Sequence, residues 1–146
     1  MAFRFPLDTV LRLRQNLERQ ELLRLQQANQ HVTGIAAHIA QLNRALTEGA
    51  KQQVEQLDSG LTGAEMQFQW VCRSVLLESR TELEQKLIAA QRARDVQAEV
   101  FRIAHQQRET IETLRRRRLQ LYRLYETRRE QREADDLFLQ RRTLRG

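Results

Sequence analysis

Apolar residues recur at alternating intervals of three and four along one stretch of the chain, and this spacing constrains the fold most. An interval of this kind places side chains in the a and d positions of a coiled coil, on one face of an α-helix. The stretch comprises Leu25, Ala28, Val32, Ile35, Ile39, Leu42 and Leu46. Upstream, Val10, Leu13 and Leu17 follow a different phase, which predicts a shift of register between Leu17 and Leu25.

A second stretch follows the same interval and predicts a partner helix. Its apolar members are Ala93, Val96, Val100, Ile103, Leu114, Leu121 and Leu124, and its polar members are Gln107, Thr110 and Arg117. The chain of 146 residues has 1 Pro and 5 Gly, and 30% of its residues are charged. This composition favours long helices that bury a narrow stripe over an ordinary globule.

One short segment carries the signals of a turn between two helices. Gly60 can adopt the left-handed conformation that ends a helix, and Thr62 with Glu65 forms a capping box. Leu61 and Met66 occupy the positions of a hydrophobic staple. We predict a single domain over residues 1–146, with helix 1 at about 7–58, a hinge at 59–62 and helix 2 at about 63–142. Pro6 is expected at the first helical position.

The predicted fold is all-α: a long antiparallel two-helix coiled-coil hairpin with a longer, basic C-terminal helix that overhangs. Folding about the hinge pairs residues whose numbers sum to about 121, so that Leu7 lies near Leu114 and the overhang begins at Arg115–Arg118. The formal net charge is +6, and residues 101–146 contain all of this excess, with 13 Arg and 7 acids. The basic block thus coincides with the stretch predicted to lack a partner in its own chain.

The sequence offers no constellation for catalysis or metal binding. His31 and His38 are seven residues apart, whereas helical ligand pairs need a spacing of three or four. Asp135 and Asp136 are neighbours that diverge around a helix, which favours a solvated face paired with arginines. We therefore expect no enzyme, cofactor, metal or small-molecule substrate. The lone Cys72 and the absence of a long apolar run or signal peptide predict a cytoplasmic protein.

Two segments are candidates for binding macromolecules. The basic block could neutralise phosphates of nucleic acid, but later arginines alternate with acids and only Tyr122 and Tyr125 could stack on bases. Oligonucleotide binding that weakens steeply with salt would favour this alternative. After the turn, an apolar cluster either forms a protein-docking site or caps the end of the coil. The cluster consists of Met66, Phe68, Trp70 and Val71.

Three segments resemble the flagellar export protein family FliJ, over nearly the whole chain. They are the opening Phe3–Leu7 with Val10–Arg14, the stretch Ala64–Trp70 after the turn, and Leu114–Arg118 through Tyr122 to Arg128–Asp136 and Arg141–Arg142. Ala134 and Phe138 depart from the family pattern, which commonly has Leu at the first position and a smaller residue at the second.

The resemblance implies a stalk-like part of the type III export apparatus, similar to the central subunit of rotary ATPases. It implies binding to the hexameric export ATPase, to the cytoplasmic domain of the export-gate membrane protein and to export chaperones, at the inner face of the membrane at the flagellar base. We assign the ATPase contact to Arg115, Arg116, Arg117, Arg118, Tyr122 and Tyr125, and the gate contact to Met66, Phe68, Trp70 and Val71. A structural helical spacer is a further alternative, and the oligomeric state and the chaperones stay open.

Overall fold

The computed structural model describes residues 2–146 and contains two long α-helices that pack against each other. Helix α1 spans Asp8–Ser59 and helix α2 spans Gly63–Arg145, and the described residues include no strand. The predicted all-α helical hairpin is confirmed. The hairpin comprises two compact units. Unit 1 combines the residues up to Arg19 with Arg102–Gly146, and unit 2 is Gln20–Phe101.

The turn of unit 2 has the predicted left-handed glycine and capping box. Gly60 has a φ of 88°, a left-handed conformation that a side chain would strain. The Thr62 amide donates to Glu65 Oε2 at 3.4 Å, and the Glu65 amide donates to Thr62 Oγ1 at 3.3 Å. This reciprocal capping box satisfies amides that the first turn of α2 leaves without helical partners. Leu61 is half-buried beside it.

In unit 2 the buried face of α1 follows the predicted spacing. Ile35 is only 8% exposed, and the other six residues from Leu25 to Leu46 are half-buried. The facing positions of α2 differ from those predicted, because Val96 is 66% exposed, Val100 is 41% exposed and Ala93 is also exposed. The seam of α2 is instead formed by residues in another phase of the same interval: Arg80, Leu83, Leu87, Ala90, Arg94 and Gln97.

The same correction applies in unit 1. Ile103, Leu114, Leu121 and Leu124 are between 37% and 65% exposed. The half-buried positions of α2 that replace them are Phe101 at the end of unit 2, and Ala104, Arg108, Ile111 and Arg115 in unit 1. Long polar side chains can occupy a seam because their aliphatic stems pack while their charged ends reach the edge. The apolar residues of α2 that were predicted to form the seam therefore lie beside it, and the predicted register is replaced.

The seam of α1 in unit 1 is polar as well. Leu11 is 7% exposed, Arg14 and Glu18 are half-buried, and Leu13 is 55% exposed. Positions 11, 14 and 18 continue at the same interval to Glu21 and Leu25, so the predicted shift of register between Leu17 and Leu25 is absent. The apolar pattern suggested a stutter because polar residues hold the seam positions there.

The residues before α1 form a turn, whereas the sequence predicted that Pro6 would be the first residue of the helix. The Asp8 amide donates to the Phe5 carbonyl at 3.1 Å, and the first helical bond joins the Leu11 amide to the Leu7 carbonyl at 2.8 Å. Pro6 occupies the second position of the turn, where its fixed φ is favourable. Helix α1 accordingly begins at Asp8.

This N-terminal segment contacts the stretch of α2 predicted to overhang. Phe5 is 6% exposed and lies under the Arg118 guanidinium, which is 5.9 Å from the ring centroid. The Phe3 and Tyr122 rings are 5.5 Å apart between centroids. An extended chain advances about 3.3 Å per residue and a helix about 1.5 Å, so a few extended residues cover about two turns of α2. The overhang therefore begins after Tyr122, and the prediction that it begins at Arg115 is wrong.

Beyond this contact, α2 stays helical to Arg145 with almost entirely exposed side chains. Arg129 pairs with Glu126 at 3.0 Å and with Glu133 at 3.6 Å. These pairs lie one turn apart and support a helix without a neighbour.

Candidate protein-binding surfaces

A cluster of ion pairs holds the two helices of unit 1 together. Arg108 bonds Glu18 of α1 through Nε and Glu112 of its own helix through a terminal nitrogen. His105 lies 3.6 Å from Glu18 and 3.7 Å from Glu109. The hydrogen bond to Glu18, aided by the charges of the neighbouring glutamates, raises the pKa of Arg108 although burial opposes this. Arg108 is thus a fixed cation that binds the helices together.

The four arginines of the basic block have different environments. Arg115 faces Asp8 at 3.6 Å, and Arg118 covers Phe5. Arg116 and Arg117 are exposed, and Arg116 contacts the Thr113 hydroxyl at 3.4 Å. Successive helical residues diverge by about 100°, which explains why only two of the four point toward α1 and the N-terminal segment. Arg118 is exposed as well, so Arg116 and Arg117 are distinguished by having neither an ion pair nor a ring contact within residues 2–146.

The two tyrosines assigned to the same surface also differ. Tyr122 is half-buried beneath Phe3, whereas Tyr125 is 64% exposed. Tyr125 borders a shallow groove with Leu121, Leu124 and Arg128. The exposed part of the predicted ATPase-binding surface therefore consists of Arg116, Arg117, Arg118 and Tyr125, of which Arg118 also covers Phe5.

The apolar cluster after the turn is exposed throughout. Met66 and Val71 are 43% and 47% exposed, and Phe68 and Trp70 are 70% and 68% exposed. Two residues that are two positions apart on a helix point about 160° from each other, so Phe68 and Trp70 lie on opposite flanks. Phe68 lines a groove with Gly49, Cys72 and Leu76, among other residues of unit 2. The structure does not bring the two aromatic residues together in one patch.

Sequence reasoning missed the arginines of the seam. Arg80, Arg94, Arg108 and Arg115 are separated by 14, 14 and 7 residues, and each is half-buried. Arg80 donates to Asn43 Oδ1 at 3.3 Å, and at another seam position the Gln97 amide donates to Glu21. The signal that could have found them is the spacing in multiples of seven, which returns to one helical face in a coiled coil.

Neither a metal site nor a membrane span is found in residues 2–146. No group of three or more His, Cys, Asp or Glu side chains is placed to hold a metal ion within that range. Neither described helix is long and apolar enough to cross a bilayer.

Comparison with known proteins agrees with the helical hairpin. The family model described as flagellar FliJ protein matches residues 3–146, which is almost the entire chain. Neither the curated proteins nor the solved structures include a match. The extent of the family match supports one reading of the hairpin and its exposed surfaces: the chain belongs to the flagellar FliJ protein family and is a component of the flagellar export apparatus.

Proposed function

We propose that this protein is a non-enzymatic, stalk-like component that binds and stimulates the hexameric export ATPase. It also links the ATPase to the cytoplasmic domain of the export-gate membrane protein and to export chaperones, at the inner face of the membrane. Membership of the family supports the export role. The observation that carries the ATPase contact is the exposure of Arg116 and Arg117, which form no ion pair with residues 2–146.

Arginine suits this contact because its planar guanidinium can bind a carboxylate through two hydrogen bonds. Reversing both charges, with Arg116→Glu and Arg117→Glu, should weaken ATPase binding at least tenfold and abolish stimulation of ATP hydrolysis. The matched control is Arg141→Glu with Arg142→Glu, since these arginines are also adjacent and exposed on α2. Unchanged binding and stimulation in the first variant, with native helix content, would exclude the proposed contact.

The gate contact is assigned to the apolar residues that follow the turn. Because Phe68 and Trp70 lie on opposite flanks, a single gate domain should depend on one of them more than on the other. Phe68→Ala and Trp70→Ala, each assayed alone for binding to the gate domain, should therefore differ by at least fivefold. Phe138→Ala is the control, because Phe138 is 66% exposed and lies outside the cluster. Native affinity in both single variants would contradict the assignment.

A further inference from the structure

Unit 1 has an apolar stripe beside its charged seam. On α2 the stripe keeps the 3,4 interval through Ile103, Leu114, Leu121 and Leu124, with Gln107, Thr110 and Arg117 between them. These four apolar side chains are 43%, 37%, 65% and 54% exposed. On α1, Val10, Leu13 and Leu17 occupy the corresponding positions beside the seam. The contact between the helices leaves both stripes partly exposed.

One hydrogen bond shows that the two stripes lie on the same side of the seam. Arg14 donates to Gln107 Oε1 at 2.7 Å. Gln107 belongs to the stripe of α2, and Val10 and Leu17 lie one turn from Arg14 on α1. The same pairing sets Leu17 level with residue 104, next to Ile103. The two stripes border one channel where α1 lies opposite α2, and the α2 stripe continues beyond the start of α1. We call this surface the apolar groove: Val10, Leu13, Leu17, Ile103, Leu114, Leu121 and Leu124.

The other side of unit 1 is chemically different. The ion pairs that join or flank the helices lie there, and they involve Asp8, Glu18, Glu109 and Glu112. The stripes that border the apolar groove include no Asp or Glu. An uncovered groove of this kind leaves apolar surface in water, which is typical of an interaction site.

Positive charge beside the apolar groove is not neutralised within the described residues. The partner of Arg14 is a neutral amide, and the Arg14 Nε atom is buried without a hydrogen bond. Arg117 is part of the α2 stripe, and Arg128 continues it one heptad after Leu121. Both are exposed and neither pairs with an acid of residues 2–146. The groove therefore combines apolar side chains with three arginines, Arg14 at the seam and Arg117 and Arg128 along the α2 stripe.

We propose that the apolar groove binds an acidic amphipathic helix of a partner protein as the third strand of a coiled coil. Its aliphatic residues, at 3,4 spacing, pack between the stripes, and its Asp and Glu side chains pair with Arg14, Arg117 and Arg128. Ile103 and Leu124 are 21 residues apart, so the α2 side of the groove is about 32 Å long and accommodates about three heptads, whereas Val10 to Leu17 of α1 borders about 11 Å of it. A second copy of this chain fits less well, because stacking in register would oppose like charges at Arg117 and Arg128.

The apolar groove shares Arg117 with the proposed ATPase contact, but it depends on apolar residues that the ATPase contact does not use. The two are separable with Arg116→Glu, which changes an arginine outside the stripe. This variant should keep the third-helix binding whatever it does to the ATPase.

The test uses the full chain and two labelled synthetic helices of about 28 residues, or roughly four heptads. Both have Leu at every a and d position; one has Glu at the flanking positions and its twin has Lys. Fluorescence anisotropy should show that the acidic peptide binds at least tenfold more tightly than its twin. Leu114→Ser with Leu121→Ser should weaken acidic-peptide binding at least tenfold, while helix content by circular dichroism stays native because both residues are exposed.

Leu137→Ser with Leu139→Ser is the matched control, since both leucines are 55% exposed and lie outside the groove. This variant should bind the acidic peptide as the native chain does. Arg117→Glu should narrow or reverse the preference between the two peptides. Equal binding of both peptides, or native binding by the groove variant, would overturn the proposal. So would a dimer in sedimentation equilibrium that the groove variant dissociates, because the occupant would then be a second copy.

Discussion

The two units join their helices at the same interval but with different chemistry. In unit 2, α1 contributes an unbroken apolar series from Leu25 to Leu46. In unit 1, α1 contributes Arg14 and Glu18 at the equivalent positions, and α2 contributes Arg108 and Arg115 at its own seam positions. Apolar contacts are nondirectional, whereas an ion pair fixes which residues face each other. The comparison indicates that the apolar seam contributes most of the affinity between helices and the charged seam contributes register.

Truncating the apolar seam should have the largest effect on stability. Ile35 is 8% exposed, so Ile35→Ala should lower the free energy of unfolding by about 2 kcal/mol through lost burial. Urea denaturation followed by circular dichroism measures this. Val54→Ala is the control, because Val54 is 63% exposed and should change the same quantity by less than about 0.5 kcal/mol. Similar losses of unfolding free energy in the two variants would show that the seam of unit 2 does not dominate the stability of the protein.

Breaking the charged seam should lower the free energy of unfolding by less than Ile35→Ala does. Replacing its charged pair with an apolar pair should not lower it. The side chains of Glu18 and Arg108 are 20% and 18% exposed, so Glu18→Ala should lower the free energy of unfolding by about 1 to 2 kcal/mol. The double variant Glu18→Leu with Arg108→Leu should match or exceed the native stability, because an apolar pair avoids the desolvation of charges. If the double variant is less stable than Glu18→Ala, the pair contributes affinity and the comparison fails.

The pH dependence of this pair follows from the direction of the Arg108 shift. A raised pKa in the folded state means that the stabilisation is fully present below the ordinary guanidinium pKa and is lost only as pH rises through the folded value. Between about pH 6 and pH 10 the contribution of Arg108 should therefore be constant. A denaturation series over that range checks this against the Arg108→Leu variant.

The turn should contribute an intermediate amount to the free energy of unfolding, through backbone conformation alone. Gly60 has a φ of 88°, and a Cβ there would meet no heavy atom within 4 Å, so Gly60→Ala tests strain without a clash. We expect a loss of about 1 kcal/mol. Gly49→Ala is the counterpart within α1, also in open space, and should instead stabilise by up to about 1 kcal/mol. Thermal unfolding of both should show shifts of opposite sign.

The smallest effect on stability should come from the ion pair between Arg115 and Asp8, which lies nearest the start of α1. Arg115 and Asp8 are 42% and 51% exposed and 3.6 Å apart. Exposed pairs of this kind contribute little, so Arg115→Gln should change the free energy of unfolding by less than about 0.5 kcal/mol. A loss as large as that of Glu18→Ala would mean that the charged seam is uniform along its length.

The sequence predicted the hinge chemistry and the apolar face of α1, because both rest on local residue types such as Gly60, Thr62 and Ile35. The register of α2 could not be predicted in this way. Its apolar residues, such as Leu114 and Leu121, follow the expected interval but lie beside the seam, and arginines with long stems occupy the contact. Hydrophobic periodicity identifies a stripe; it does not say which of two stripes faces the partner helix.

The candidate binding residues show the same limit. The sequence placed Phe68 and Trp70 in one apolar cluster, but only the helical geometry shows that these exposed side chains point apart. The burial of Phe5 was not predictable, since Pro6 suggested that the helix began right after it. Contacts between distant segments, such as Phe3 with Tyr122, leave no local signal in the sequence.

The N-terminal segment has a consequence for biosynthesis. Phe5 and Arg118 are separated by 113 positions, so their contact cannot form until the ribosome has added most of α2. Residues near the turn meet their partners much earlier, since contacts that are close in sequence form first. We expect Phe3 and Phe5 to dock late, so that both stay accessible to chaperones and proteases until α2 has been synthesised past Tyr122.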